Sequence, residues 1–541
     1  MSVATPTILS GNTPMPQEYE LLSIDIRSEV NRIPTAEIRL IDGNAAKQVF
    51  ERSNAAFFEP GAKITLKLRY EDGKDFTLFK GIVVRHTVEA NADGSALVIG
   101  LKDEAVKLTA IRISAVYTEK TDDQIMEGII RDAGLNPADV VPTNYVHPTM
   151  VQYDSTTWDF LALRAEANGM LITVDQGNVS VLPMSGNRNI ATRVFNWGVD
   201  EILDFEFEAN AMHPYAEVES AAWDPKRVSV TNPKVPSTAK PTLPGNLEAA
   251  ELAKAVARKT YTLSHPVPAV EGELKAWADA RLSRSHYSML RGRIAFEGRG
   301  DIHLLDPIEL RGIGQRFNGK TFVTGICHTY DANGWRTDLQ FGLAPERACE
   351  REDIVDVGAR GLLPASRGLQ IGTVAAFEVD PQKELRVKVI LPGVDEKSTG
   401  AIWARLATPE AGKNRGFFFR PQEGDEVVVG FLHDDPRHPV ILGSLFGSKN
   451  TAPSSIKAPS ATNDSKGIVT NKGLKVIFGD TDKPCVTIET PANNKVFIDD
   501  ASGSISLTDQ HGHKITLDSK GITIDAGNGD VVIKGAKVDV Q

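Results

Sequence analysis

The chain has 541 residues, 41% of them hydrophobic and 24% charged, with a formal net charge of -11 and three cysteines. That composition supports a soluble protein of about three to five domains, at the usual ~100–200 residues each. The acidic balance argues against a nucleic-acid scaffold, which needs a basic face against phosphate, and the scattered Cys327, Cys349 and Cys485 give no disulfide framework or zinc-ribbon spacing.

The N-terminus, Met-Ser-Val-Ala-Thr-Pro-Thr, has no basic segment followed by an apolar one. No stretch approaches the ~20 apolar residues of a membrane helix. The expectation is synthesis without a cleaved signal, and exit by lysis or as part of a machine.

Residues 1–115 read as strands. Glu20-Leu-Leu-Ser-Ile-Asp-Ile-Arg27, Thr35-Ala-Glu-Ile-Arg-Leu-Ile41 and Lys63-Ile-Thr-Leu-Lys-Leu-Arg-Tyr70 alternate apolar with polar residues. Turn residues at 71–73 and 91–94 separate the runs, which predicts a small β-barrel or sandwich. Residues 116–200 are mixed. Thr121-Asp122 predicts a helix start and Gly134 its stop, Ser155-Thr-Thr precedes a second helix, and Gln176-Gly-Asn178 predicts a hairpin turn. Strands return over 201–357 around a proline-rich loop at 232–245 and two helical stretches near 247–260 and 271–284. This reads as a second barrel with a helical insertion. A linker at 358–364, a strand-rich segment at 369–446 and an extended linker at 447–466 follow.

The C-terminal segment, 467–541, repeats. Apolar–x–apolar triplets start at Val486, Val496, Ile505, Ile515, Ile522, Val531 and Val538, at spacings of 7 to 10 residues, with Gly, Asp and Asn between them. Each predicted strand offers two or three inward side chains, worth ~1.5–3 kcal/mol apiece when buried. Ordering costs ~1–2 kcal/mol per residue, and a lone meander exposes its edges and one apolar face. Three copies wound round one axis solve both problems. Ile505, Leu507, Ile515, Leu517, Ile522, Ile524, Val531 and Ile533 are the expected axial core. A single-chain solenoid is the alternative, but its coils need about 20 or more residues per turn.

The stretch Ala401-Ile-Trp-Ala-Arg-Leu-Ala-Thr-Pro409, then Gly416-Phe-Phe-Phe-Arg-Pro-Gln-Glu-Gly-Asp-Glu-Val-Val-Val-Gly-Phe-Leu432, then Asp435-Pro-Arg-His-Pro-Val-Ile-Leu-Gly-Ser-Leu445 is specific. It closely resembles the oligonucleotide/oligosaccharide-binding (OB) barrel of phage baseplate spikes and of the valine–glycine repeat proteins of type VI secretion. Asp509-Gln-His-Gly-His-Lys-Ile-Thr-Leu-Asp518 resembles the first turns of that family's needle. Met150–Leu161 with Glu166-Ala-Asn-Gly169, and 312–319 with Thr324–His328 and Gly334–Thr337, are similar to its hub. The resemblance therefore spans nearly the whole chain.

It implies a mainly β, multidomain protein: two hub β-barrels with a small α/β insertion, an OB-fold collar and an intertwined trimeric β-helical needle. Two barrels in each of three chains would give six similar units, matching a sixfold tube. The implied function is the central spike of a contractile tail-like injection machine, made in the bacterial cytoplasm and acting in an extracellular or cell-released particle. Expected partners are two further copies of the chain, tube and baseplate proteins, effector cargo, the target envelope, and a tip protein with proline–alanine–alanine–arginine repeats. The tip would dock at Val538, Val540 and Gln541. No lysozyme-like domain fits in the 447–466 linker and no toxin-like segment follows Gln541, which favours a compact spike of the antifeeding-prophage or virulence-cassette type.

Other readings weigh less. His511 and His513 are candidate ligands for an axial iron or zinc, but a turn with water-facing imidazoles explains them. His433–His438 reads as a turn, Arg299-Gly-Asp301 as chance, and Phe417–Phe419 as barrel core or trimer interface rather than a nucleic-acid platform. No nucleophile elbow, P-loop, HExxH or Rossmann turn is present, so no catalytic residue and no cofactor is expected. The alternative class is a trimeric β-helical protein that binds or degrades surface polysaccharide. The needle's only aromatics, Phe478 and Phe497, disfavour it.

Overall fold

The computed structural model describes residues 3–71, 73–92, 94–185, 190–224, 229–230, 234–265, 269–351, 365–392, 400–456 and 463–541. The predicted linker at 358–364 lies outside them. The chain divides into two compact units, Met1–Asp356 and Val357–Gln541.

In the first unit the alternating runs form strands, and their apolar halves point one way. Ile24 and Ile26, Ala36, Ile38 and Leu40, and Ile64, Leu66 and Leu68 are buried, with their polar neighbours more exposed. All but Leu68, which packs with Ala4 and Trp335, join Phe58, Phe79, Leu97 and Ile99 in one core. A second core gathers Phe195, Ile294, Phe296, Leu310, Val323, Leu339 and Phe341. The strands around the two cores are not separate sheets. Gly319–Asp331 pairs with Leu21–Glu29, setting Ile326 opposite Ser28, so that one 13-stranded sheet runs through both. Trp335 braces this seam. It stacks on Tyr70 at 5.3 Å, and the Tyr70 hydroxyl donates to the Trp335 carbonyl at 3.1 Å and accepts from Gly298 N at 2.8 Å.

The mixed segment carries α1 (Asp122–Asp132) and α2 (Thr157–Ala167). Gln124 Oε1 accepts from Thr121 N at 3.2 Å, and the Thr156 hydroxyl accepts from Asp159 N at 3.1 Å. These contacts satisfy backbone groups that a helix start leaves unpaired. Gly134 follows α1 with φ 71°. The hairpin 175–178 turns through Gln176 and Gly177, both at positive φ. Further on, α4 (Glu271–Tyr287) packs on the strand Glu217–Asp224, and α3 (Ala249–Ala255) packs against Met289 and Leu290.

A polar cluster is buried between α1, α2 and α4. The Asp122 side chain has no exposure, and accepts from Arg164 at 2.7 and 2.8 Å, Asn168 at 2.8 Å, Tyr145 at 3.2 Å and His147 at 3.1 Å. Arg164 also reaches Glu273 of α4 at 3.0 Å. Burial alone would raise the Asp122 pKa, but the Arg164, Asn168 and His147 contacts outweigh it and hold the carboxyl near 2.

In the second unit, Gln370–Val374, Val387–Ile390, Ile402–Leu406, Pro439–Ser444 and Glu426–Phe431 close a five-stranded barrel. Val374, Val387, Val389, Leu391, Ala404, Val427, Val429 and Ile441 fill it. Asp380 accepts from the backbone of Gln382, Glu384 and Arg386 and pairs with the Arg386 guanidinium at 2.7 Å, which fixes one loop. The His433–His438 segment is a turn: His433 and Asp434 take positive φ, and Asp435 pairs with Arg437 at 2.6 Å. Phe417, Phe418 and Phe419 are 53–63% exposed, which corrects the reading of these rings as barrel core. The core positions are taken by alternating residues of the five strands, and the three rings lie beyond the hairpin 411–416.

Candidate functional site: an uncovered apolar sheet

Seven five-residue strands form an antiparallel meander: Ser465–Val469, Lys475–Gly479, Cys485–Glu489, Lys495–Asp499, Ser504–Thr508, Lys514–Asp518 and Gly521–Asp525. Short polar turns set the register. Asp499 accepts from Ala501 N at 3.1 Å, Asp509 from His511 N at 2.9 Å, Asp518 from Lys520 N at 2.8 Å, and Asp525 from Gly527 N at 2.8 Å. Asp and Gly recur between the triplets because each turn needs a side-chain acceptor or a permissive backbone.

The register places the apolar residues in two columns on one face. One column runs Ile468, Val476, Ile488, Val496, Leu507, Ile515, Ile524, each opposite the next. The other runs Phe478, Val486, Ile498, Ile505, Leu517, Ile522. Strand side chains alternate between faces, so Ile477, Thr487, Phe497, Ser506, Thr516 and Thr523 form the central row of the opposite face. Ion pairs and an amino–aromatic contact reinforce the sheet. Lys475 meets Glu489 at 3.0 Å, and the Lys495 amino group lies 4.6 Å from the Phe497 ring centre.

The described residues leave the two columns partly exposed, with residues 526–531 bordering one of them. Ile505, Leu507, Ile515 and Leu517 are 37–43% exposed, and Ile522 is 71% exposed. A groove of about 700 Å³ runs along the column that holds Val496, Leu507, Ile515 and Ile524. A one-layer sheet with an apolar face and two open edges is not self-sufficient in water. Its geometry fits copies of itself, because six of the seven strands repeat the same two-apolar pattern.

Six of the eight predicted axial residues, Ile505, Leu507, Ile515, Leu517, Ile522 and Ile524, fall in these columns. Val531 and Ile533 do not. Residues 526–541 form no strand, against the expectation of further triplets at 531–533 and 538–540. A strand exists only through hydrogen bonds to a neighbour, and this segment makes none of that kind within the chain. Val538, Val540 and Gln541 are exposed there. The columns extend further back than expected, to Ile468, Val476 and Phe478, where the spacing was less regular. His511 and His513 flank the Gly512 turn. His513 Nδ1 lies 2.9 Å from Asp509 Oδ2, which makes it a turn brace in the single chain. Among the described residues no group of three or more His, Cys, Asp and Glu side chains is placed to hold a metal ion. Among them, also, no helix is long and apolar enough to cross a membrane.

A β-rich first unit, a closed small barrel and a repetitive sheet with an uncovered face define, in that order, a VgrG-like spike. Residues 370–446 match the type VI secretion system/phage-baseplate injector OB domain, and residues 485–541 match the phage baseplate V C-terminal trimerisation domain. The chain belongs to the family of the Alg8 N-terminal domain, which matches residues 1–331. Among curated proteins it is similar to the type VI secretion system spike protein VgrG1c of Pseudomonas aeruginosa, 23% identical over 91% of this chain and 66% of that protein. It is also similar to VgrG1b of the same organism, 26% identical over 44% of this chain and 32% of that protein. The chain thus spans between a third and two thirds of the length of these relatives. A prophage tail protein from Shewanella oneidensis aligns with 63% of this chain and 98% of its own, at 12% identity and a TM-score of 0.47.

Proposed function

We propose that three copies of this chain form the central spike of a contractile, phage-tail-like injection machine. The observation that carries this reading is the pair of apolar columns from Ile468 to Ile524, which the chain itself leaves partly open. Three such sheets, wound about one axis, bury the columns against each other and pair each open edge with a neighbour. The product is narrow, rigid and free of edges, as a puncturing device must be. The match of residues 485–541 to a trimerisation domain supports the same stoichiometry.

In this reading residues 1–357 form the hub that meets the tube and baseplate, 369–446 the OB collar and 467–541 the needle. Ile505, Leu507, Ile515, Leu517, Ile522, Ile524, Val531 and Ile533 line the axis, the last two becoming ordered as strands when neighbouring chains supply partners. Val538, Val540 and Gln541 seat a tip protein. The role is mechanical and involves no catalysis by the chain. The particle is of the extracellular, antifeeding or virulence-cassette type, and carries its effector cargo to a target envelope.

The test is made on particles purified from the producing cell. Quantitative mass spectrometry should find three copies of the chain per particle, and gold-labelled antibody should mark one end. Copies spread along the tube, or absent from the particle, would overturn the proposal.

A further inference from the structure

A second site lies in the first unit, away from the sheet. A cavity of about 240 Å³ opens between α2, α4 and the segment after the strand Gly334–Phe341. Four arginines line it: Arg164 from α2, Arg281 and Arg284 from α4, and Arg347. Glu166 is the only carboxylate in its wall, and Trp277 is its one aromatic ring.

Carboxylates answer these cations unevenly. Arg164 is fully engaged by Asp122 and Glu273, and Arg347 is bound to Glu350 at 2.8 Å. Arg284 is 8% exposed. Its Nη2 donates to the Glu346 carbonyl at 2.6 Å. Its Nη1 forms an ion pair with Glu166 Oε1 at 2.8 Å, and its Nε is buried without a hydrogen-bond acceptor among the described residues. Arg281 has a buried Nε without a hydrogen-bond acceptor among the described residues, and its charge acts on the nearby Glu350 carboxylate. Its guanidinium also lies over the rings of Tyr215 and Tyr261, 5.5 and 5.7 Å from their centres. Burial lowers the Arg284 pKa against the opposing pull of Glu166, and the neighbouring Arg281 and Arg347 add to the lowering.

Buried guanidinium N–H groups without acceptors are costly. Arg281, Arg284 and Arg347 bring three guanidinium groups to the wall of one small cavity, and the planar guanidinium fork matches an oxyanion with two parallel hydrogen bonds. We infer that this cavity binds a tetrahedral oxyanion of the phosphate class, held by Arg281, Arg284 and Arg347. The cavity suits an ion of that size and excludes a folded segment. The anion ties α4 to α2 and to the segment ahead of the second unit. It therefore stiffens the part of the hub from which the chain leaves.

The test titrates the full-length protein with inorganic phosphate at constant ionic strength, against chloride and acetate, by calorimetry and by the fluorescence of Trp277. Phosphate should bind saturably and raise the thermal midpoint, and chloride should do neither. Arg281→Gln should weaken phosphate about tenfold or more, as expected for loss of a charge-assisted contact. Glu166→Gln removes the competing carboxylate and should tighten it, a gain that a mere packing role does not produce. Trp277→Phe should abolish the fluorescence change and keep the calorimetric one. No saturable phosphate binding, equal binding of acetate, or a Glu166→Gln protein that binds more weakly would overturn the inference.

Discussion

The first unit and the C-terminal sheet use the same residue types and reach opposite ends. In the first unit Ile24, Ile38, Leu66, Leu97 and Phe296 are at most 1% exposed, sealed by other strands of their own chain. In the sheet, Ile505, Leu507 and Ile524 are 42–54% exposed, although each sits in a regular column. The difference is one of layers. The first unit wraps its sheet around two cores, whereas the C-terminal strands form one layer whose apolar face stays partly exposed. Stability in the first unit is a property of the chain. In the proposed trimer the stability of the sheet is a property of the assembly, and so would depend on concentration.

Substitutions should separate the two regimes. The largest effect is expected from Ile515→Asp. It places three carboxylates together on the axis, where burial without partners is prohibitive. Sedimentation should show loss of the trimer while the hub's unfolding transition stays in place. An unchanged mass would mean the columns are not the interface.

Phe296→Ala should do the reverse. It should cost about 3–5 kcal/mol of hub stability through a cavity in the second core, equally at every protein concentration and without changing the mass. Denaturant unfolding monitored at two concentrations reads both.

The Asp122 cluster comes next. Its carboxyl is held near 2, below its ordinary 3.8. An acid depressed on folding adds stability that is complete above about pH 4 and fades as the pH falls toward 2. Asp122→Ala should cost about 3 kcal/mol or more at neutral pH by leaving Arg164 buried with Glu273 alone. It should also flatten the hub's stability profile between pH 4 and 2. A profile as steep as the parent's would contradict this. The smallest effect belongs to the sheet. Lys475→Ala breaks a partly exposed pair with Glu489 and should cost no more than about 1 kcal/mol of trimer stability.

Local signals in the sequence carried much of this. Thr121 and Gln124, Thr156, and the Gln176-Gly177 turn announce their elements through backbone chemistry that acts within a few residues. The triplets from Val486 to Ile524 announce the columns for the same reason, because strand and turn are each only five or so residues long. Long-range pairing was not legible. Nothing near Ser28 indicates that it meets Ile326, and this contact merges two expected barrels into one continuous sheet. The Asp122 cluster and the arginine cavity also draw single residues from distant helices, and no spacing rule links Arg164 to Glu273 or Arg281 to Arg347. The Phe417–Phe419 rings, read as barrel core or trimer interface, are exposed in the single chain because they lie after the hairpin 411–416 and outside the five barrel strands, which overturns the core half of that reading.

The central claim is that the sheet holds three chains together. Light scattering of the full chain beside a chain ending at Gly447 tests it most directly. The account predicts a full-length particle of three times 58.7 kDa that persists on dilution, and a shortened chain that falls apart into monomers with its hub still folded. A full-length monomer whose residues 465–525 stay protected from hydrogen exchange would contradict it, because the sheet would then be stable alone.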